Sequence, residues 1–227
     1  MGLNQDADEK GLKEIGSLRA VSRETQRRLQ VYADLLRQWQ KSINLVAPST
    51  IDDLWRRHIA DSIQTFLAQP EAQTWVDIGS GAGFPGLVTA ILLADDEDAI
   101  GERRVDLIES VGKKCSFMRA VARETGLNDS AVRVVVHQGR IEDTLESIGQ
   151  PDAVSARALA SLERLLELTK PFLGKGSVGV FAKGQEHEQE IEQANLKWQF
   201  DHTVCPSRFG ANSVLLKVSN LKEKAEK

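Results

Sequence analysis

Apolar positions return every three or four residues between residues 12 and 45, with Leu29, Tyr32, Leu36, Trp39 and Ile43 on one stripe. That period predicts a long amphipathic helix, ending near Asn44 ahead of Pro48. A second helical run places Ile51, Leu54, Trp55, Ile59, Ile63 and Phe66 on one side and Arg56, Arg57 and Asp61 elsewhere. Ser49-x-x-Asp52 reads as a capping box at its start, and Pro70 marks its boundary. Residues 1–11 are polar and acidic and are expected to be disordered.

Beyond Pro70 the pattern changes to short apolar runs alternating with helical ones. Strands are expected at 75–78, 105–109, 132–136, 152–156 and 177–182, and two closing strands at 198–204 and 214–218. Helices are expected after the glycine cluster at 79–86, at 112–126, closed by Gly126, between the third and fourth strands, and at 162–169, stopped by Pro171. The acidic run 186–193 predicts a further, exposed helix. Alternating strands and helices imply an α/β, mostly parallel, seven-stranded doubly wound sheet with helices on both faces. The last two strands, with no helix between them, imply an antiparallel edge hairpin. The chain thus divides into an N-terminal helical extension (1–70), a sheet domain (71–220) and a charged tail (221–227).

Composition narrows the function classes. The formal net charge of −4 argues against a molecule that binds nucleic acid by overall charge, so any RNA contact must use local basic patches. Arg19, Arg23, Arg27, Arg28, Arg37 and Lys41 supply one such strip on the first helix, or simply a solvated face. Cys115 and Cys205 are far apart and in no metal-ligand spacing; they read as small core residues in a reducing compartment. No apolar run approaches the roughly 20 residues of a membrane span, and the N-terminus does not look like a signal peptide. A cytoplasmic protein without a metal or a membrane partner is expected. The acidic stretch Asp95-Asp96-Glu97-Asp98 reads as a solvated loop.

The chemistry gathers at T-W-V-D-I-G-S-G-A-G-F-P-G, residues 74–86. Strand, glycine loop and helix make the first half of a nucleotide-binding unit, in which a ligand lies against bare main chain and helix-start amides. Two frames compete. Gly81, Gly83 and Gly86 satisfy G-x-G-x-x-G, the dinucleotide fingerprint. Asp77-x-Gly79-x-Gly81-x-Gly83, an acid followed by alternating glycines, instead matches the first motif of S-adenosylmethionine-dependent methyltransferases. A carboxylate ahead of the loop repels a diphosphate but tolerates a sulfonium and an ammonium, which favours the second frame. A tight turn without ligand remains the bland alternative. Glu109, at the end of the second strand, is placed to accept hydrogen bonds from both ribose hydroxyls. The terminal hairpin also fits the methyltransferase version of the doubly wound fold.

Residues 77–86, with Lys41-Ser-Ile-Asn-Leu45, Arg57-His-Ile-Ala-Asp-Ser62, Ser155-Ala-Arg-Ala-Leu-Ala-Ser-Leu162 and Lys183-Gly184, resemble the ribosomal RNA small-subunit methyltransferase G family over about residues 25–220. The resemblance implies a class I S-adenosylmethionine-dependent methyltransferase fold and methylation of N7 of one guanine in 16S rRNA of the small ribosomal subunit; nothing in the chain demands more than a monomer, which is the expected state. It implies cofactor contacts from Gly79 and Phe84, beside Asp77, Gly81 and Gly83 of the motif, a ribose end held by Glu109 and Ser110, and an adenine flanked by Ile141 and Glu142. Arg157 would lie near cofactor and target base, and Lys183 and Phe84 are candidate base-side contacts. The segment from Asp95 to Arg103 departs from the family pattern by its length.

Guanine N7 is a lone-pair nucleophile without a proton, so this reaction needs no general base, in keeping with the lack of a His or Cys constellation. His58 reads as structural or as an RNA contact, and His137, His187 and His202 show no partner. Arg usually reads guanine through O6 and N7 together; an N7 methylase must leave N7 open, so the guanine is expected to be held by its Watson–Crick edge and faces in an extruded state. The alternatives are a class I methyltransferase acting on a small molecule or protein, a nicotinamide-dependent oxidoreductase, and a non-catalytic RNA-binding module.

Overall fold

The computed structural model describes residues 2–95, 101–210 and 213–225, with side chains from Asp8 onward. Two helices open the chain, α1 (Gly2–Leu18) and α2 (Arg23–Gln40), where the apolar period suggested one. The break is a cap: the Ser22 hydroxyl accepts from Thr25 N at 3.1 Å. The carboxylate of Asp95, expected in a solvated loop, accepts from Ser22 N and from Thr25 Oγ1; the rest of that acidic run, 96–98, lies outside the described residues. Where disorder is expected over 1–11, the described residues from Gly2 onward are helical, and Asp8 is a docking point. Its carboxylate accepts from Trp55 Nε1 at 2.5 Å, Gln30 Nε2 at 2.8 Å and the Arg37 guanidinium. Burial opposes ionisation of Asp8, yet these donors together hold its pKa below the usual value. Asp8→Ala is expected to lower stability by about 1–3 kcal/mol, since it strands a buried indole N–H and a half-buried guanidinium; urea melts of the two proteins measure it.

Helix α2 stops at Gln40 rather than near Asn44. The Gln40 carboxamide folds back, accepting from Leu45 N and Val46 N and donating to Val46 O. The capping box read at Ser49 is not formed: residues Pro48–Thr50 make a 3₁₀ turn, and Thr50 Oγ1 donates to Ala47 O. The next helix begins as a π-helical turn, Trp55–Ala60, and continues as α3 (Asp61–Leu67), neither with a side-chain cap. Its apolar side is as the sequence predicts, with Leu54, Trp55, Ile59, Ile63 and Phe66 buried.

The sheet is built from β1 (Thr74–Ile78), β2 (Arg103–Glu109), β3 (Val132–Gln138), β4 (Ala153–Arg157), β5 (Val178–Lys183), β6 (Trp198–Pro206) and β7 (Val214–Glu223), in the order β3-β2-β1-β4-β5-β7-β6. Strands β1 to β5 pair in parallel, and β7 lies antiparallel to both β5 and β6. The expected mostly parallel sheet with an antiparallel edge hairpin is therefore present. The helices α4 (Gly86–Leu93), α5 (Gly112–Glu124), α6 (Ile141–Leu145), α7 (Leu162–Leu173) and α8 (His187–Lys197) join the strands. Pro171 does not stop α7 but sits inside it, because Phe172 and Leu173 continue the buried stripe of Leu162, Leu165 and Leu166. Helix α8 is not wholly exposed, since Ile191 and Ala194 are buried. The tail begins later than expected: Leu221 is buried and β7 runs to Glu223, paired with Trp198.

Alternate side chains of each strand face opposite layers. Trp75, Val105 and Leu107 join α4, α5 and the N-terminal helices in one core, whereas Val76, Ile78, Val154 and Phe181 join α7, Trp198 and Leu216 in the other. The helical extension thus shares its core with the sheet. All eight residues of α4 are buried, as its unbroken apolar sequence requires. The strand order reverses between β1 and β4, so the loops after β1 and β4 part there and leave a crevice at the carboxyl edge of the sheet.

Candidate active site

The glycine loop after β1 is held from behind. Ser80 N donates to Ile108 O, Ser80 Oγ donates to Asp77 O, and Gly83 N donates to Ser80 O at 2.7 Å. Asp77 is fully buried; its carboxylate accepts from Ser155 Oγ of β4 at 2.7 Å and from Gly86 N at 3.2 Å. Burial pushes its pKa up to about 6 against those hydrogen bonds and the Arg157 charge. At Gly86 a Cβ would lie 2.8 Å from Asp77 Cβ and 2.2 Å from a Leu107 methyl, so only glycine lets the start of α4 approach the carboxylate. Tyr32 of α2 braces the loop from the other side, donating to Ala82 O at 2.6 Å and stacking on Phe84 at 4.9 Å.

A cavity of ≈ 680 Å³ opens over this loop, within the usual range for a nucleoside-sized ligand. Gly79, Gly81, Phe84, Glu109, Ser110, Ile141, Glu142 and Arg157, all singled out in the sequence, line it together. Asp77, Gly83 and Lys183 do not. Asp77 and Gly83 shape the loop from below, and Lys183 lies buried with its ammonium on Glu190 and Ala160 O. The lining also includes residues for which no such role was read from the sequence: Leu45 and Val46, placed by Gln40, then Lys114, Arg140, Leu159 and Arg164. Only the family-like stretches around Leu45 and Leu159 carried a signal for any of them.

Glu109 is the pivot. Its Oε2 accepts from Gly81 N at 3.0 Å, and its Oε1 accepts from Val111 N at 2.8 Å and Ser110 Oγ at 3.4 Å. The loop amide that a diphosphate would take is thus already bonded to a carboxylate. At the other end of the cavity, Arg157 lies 5.2 Å over the Phe84 ring and donates to His58 Nδ1 at 2.8 Å and to Arg57 O at 3.1 Å. Burial lowers its pKa, while Asp61, 3.6 Å away, counters that. Since Nδ1 of His58 accepts from Arg157, Nε2 carries the proton and donates to Thr50 Oγ1 at 2.8 Å. Burial, then the charges of Arg157 and Arg57, push His58 down to about 3. The imidazole is neutral, with both nitrogens engaged. His137, which showed no partner in sequence, pairs with Asp106 of β2 at 2.6 Å and is not part of the cavity lining.

A family model described as rRNA small subunit methyltransferase G matches residues 25–211. A protein of that name from Rhizobium leguminosarum is 48% identical over 211 residues, 92% of this chain and 98% of that one. Another from Brucella ovis is 46% identical over 207 residues, 91% and 93% of the two chains. Among solved structures, a methyltransferase from Geobacter sulfurreducens superposes with a TM-score of 0.57 at 18% identity, covering 84% of this chain and 88% of that one, a likeness of fold. The motifs, the doubly wound sheet with its edge hairpin and these relatives agree, and the chain belongs to the rRNA small subunit methyltransferase G family.

Proposed function

We propose that this protein transfers the methyl group of S-adenosylmethionine to N7 of a guanine in the 16S rRNA of the small ribosomal subunit. The observation that carries the choice of cofactor is the Glu109–Gly81 hydrogen bond. A dinucleotide needs that amide free for its diphosphate, whereas an acid at the end of the second strand serves a ribose in either ligand; a nucleoside without phosphate leaves the amide to the carboxylate. The cavity residues fit such a group. Glu109 and Ser110, with Gly81 beside them, would hold the ribose end, Ile141 and Glu142 would flank the adenine, and Gly79 and Phe84 would floor the opposite end. S-adenosylmethionine supplies an electrophilic methyl carried on a positively charged sulfur.

The protein's part is positioning and exclusion of water, which can contribute roughly 7–11 kcal/mol of the barrier. No side chain has to take a proton, because N7 brings its own lone pair. His58 is consistent with this, neutral and with neither nitrogen free. Lys114, Arg140, Arg157 and Arg164 share the lining with only Glu109 and Glu142 as acids, which favours a polyanionic acceptor over a small molecule or a protein. The reading includes a monomer acting in the cytoplasm, where its acceptor is made, with neither metal nor membrane. No helix of the described residues is long and apolar enough to cross a membrane. Incubation with labelled S-adenosylmethionine and unmodified small subunits, followed by mapping of the label, tests the reaction. Label on one 16S guanine, lost on chemical cleavage specific to N7-methylguanine, is the expected result. Label on protein or on another base atom overturns it.

A further inference from the structure

The turn that follows β4 departs from ordinary backbone. Ala158 has φ +51°, a left-handed conformation that L-residues rarely adopt. Leu159 is 36% exposed despite its size, and it lies directly on the glycine loop: a Cβ on Gly79 would be 2.6 Å from Leu159 Cδ1. A large apolar side chain on a strained turn, over the floor of the cavity, needs something to hold it there.

The restraint comes from two buried or half-buried charges. Lys183, at the end of β5, donates to Ala160 O at 2.9 Å and pairs with Glu190 Oε2 of α8 at 2.5 Å. The same oxygen accepts from Leu162 N at 2.5 Å. One ion pair thus grips the turn's exit at two successive backbone points. Its entry is fixed by the pairing of Arg157 with Ala182. The Lys183 side chain is only 5% exposed and does not line the cavity, so a direct base contact does not account for its charge.

We propose that Lys183 and Glu190 are positioning residues, which fasten the turn 158–160 so that Leu159 forms the acceptor-side wall of the cavity. The inference rests on the cofactor reading above. With the ribose end at Glu109, over β2, the end of the cavity beyond β1 belongs to the reacting methyl and its acceptor, and there Leu159 stands. An apolar side chain at that place packs against the face of an extruded base and keeps water from the transfer. Movement of the wall by about 1 Å is enough to lose one to two orders of magnitude in rate.

The test uses the full chain and unmodified small subunits, with kcat, the KM for subunits and the dissociation constant of S-adenosylhomocysteine measured separately. Lys183→Met and Glu190→Ala are expected to lower kcat about ten-fold or more, with cofactor affinity within about three-fold of the parent. Glu190→Gln still accepts from both partners and is expected to recover most of the loss seen in Glu190→Ala. Leu159→Ala alters an exposed side chain, so it folds even where Lys183→Met does not, and it is expected to reproduce the fall in kcat. Parental kcat in Leu159→Ala, or losses in Lys183→Met that track cofactor affinity or folded fraction alone, overturn the proposal. Transfer by the unmutated protein reports on the proposed reaction, and the variants report on the turn, so the two fail separately.

Discussion

Replacement of Glu109 by alanine is expected to weaken S-adenosylhomocysteine binding about 100-fold, measured by isothermal titration. Two charge-assisted hydrogen bonds to ribose hydroxyls, each contributing roughly 1.5–3 kcal/mol, more than cover that factor. The substitution also frees Gly81 N and Val111 N, both of which now donate to the carboxylate. The glycine turn therefore loses its tie to β2 when the ligand loses its partner. Glu109→Gln is expected to be nearly as poor. A carboxamide has one accepting oxygen, and its NH₂ would meet either the Gly81 or the Val111 amide, donor against donor. Affinity within about three-fold of the parent in Glu109→Ala, with the fold intact by circular dichroism, would falsify the assignment of the ribose end.

The same residue shows why so much of the site was legible in the chain. Glu109 stands at the end of an apolar run, and in the mostly parallel sheet implied by alternating periods the carboxyl ends of neighbouring strands share one edge, which brings Glu109 beside the glycine loop. Phe84 and Arg157 came with the family resemblance, and like Gly79, Gly81 and Ile141 they end or follow a parallel strand at one edge of the sheet. What the sequence hid are contacts between elements distant in the chain. Asp95 accepts from Thr25 at the start of α2 across 70 residues, Asp8 docks α1 on Trp55, and Lys183 turns away from the cavity toward Glu190. Local period carries no record of such partners. Ser22-x-x-Thr25 held a readable cap, but the apolar stripe on either side of it continues in phase, which masked the break. Pro171 illustrates the opposite case: a strong local stop signal was overridden by burial of Phe172 and Leu173.

Asp77→Asn is expected to remove the pH dependence that Asp77 imposes on stability. Its carboxyl titrates at about 6 in the folded protein and near 3.9 in an unfolded chain. A raised pKa means that the folded state holds the proton more tightly. The stabilisation from that proton is complete below about pH 4 and is lost as pH rises through about 6. Between those limits the difference amounts to about 3 kcal/mol. Asparagine has no such proton, so denaturant melts from pH 4.5 to 7.5 are expected to show the variant gaining on the parent as pH rises, then levelling above about pH 7. A stability difference that stays flat across this range would sink the argument. The acid persists at this cost because it accepts at once from Ser155 Oγ and Gly86 N, which lashes β4 and the start of α4 to β1 beneath the glycine loop. An asparagine oxygen can serve only one side, and its NH₂ must turn to the other. If it faces Ser155 the hydroxyl can accept and the loop survives; if it faces Gly86 two donors collide. The variant is therefore expected to be more stable at neutral pH but slower in methyl transfer, a trade in which ligand-site geometry is kept at the expense of stability.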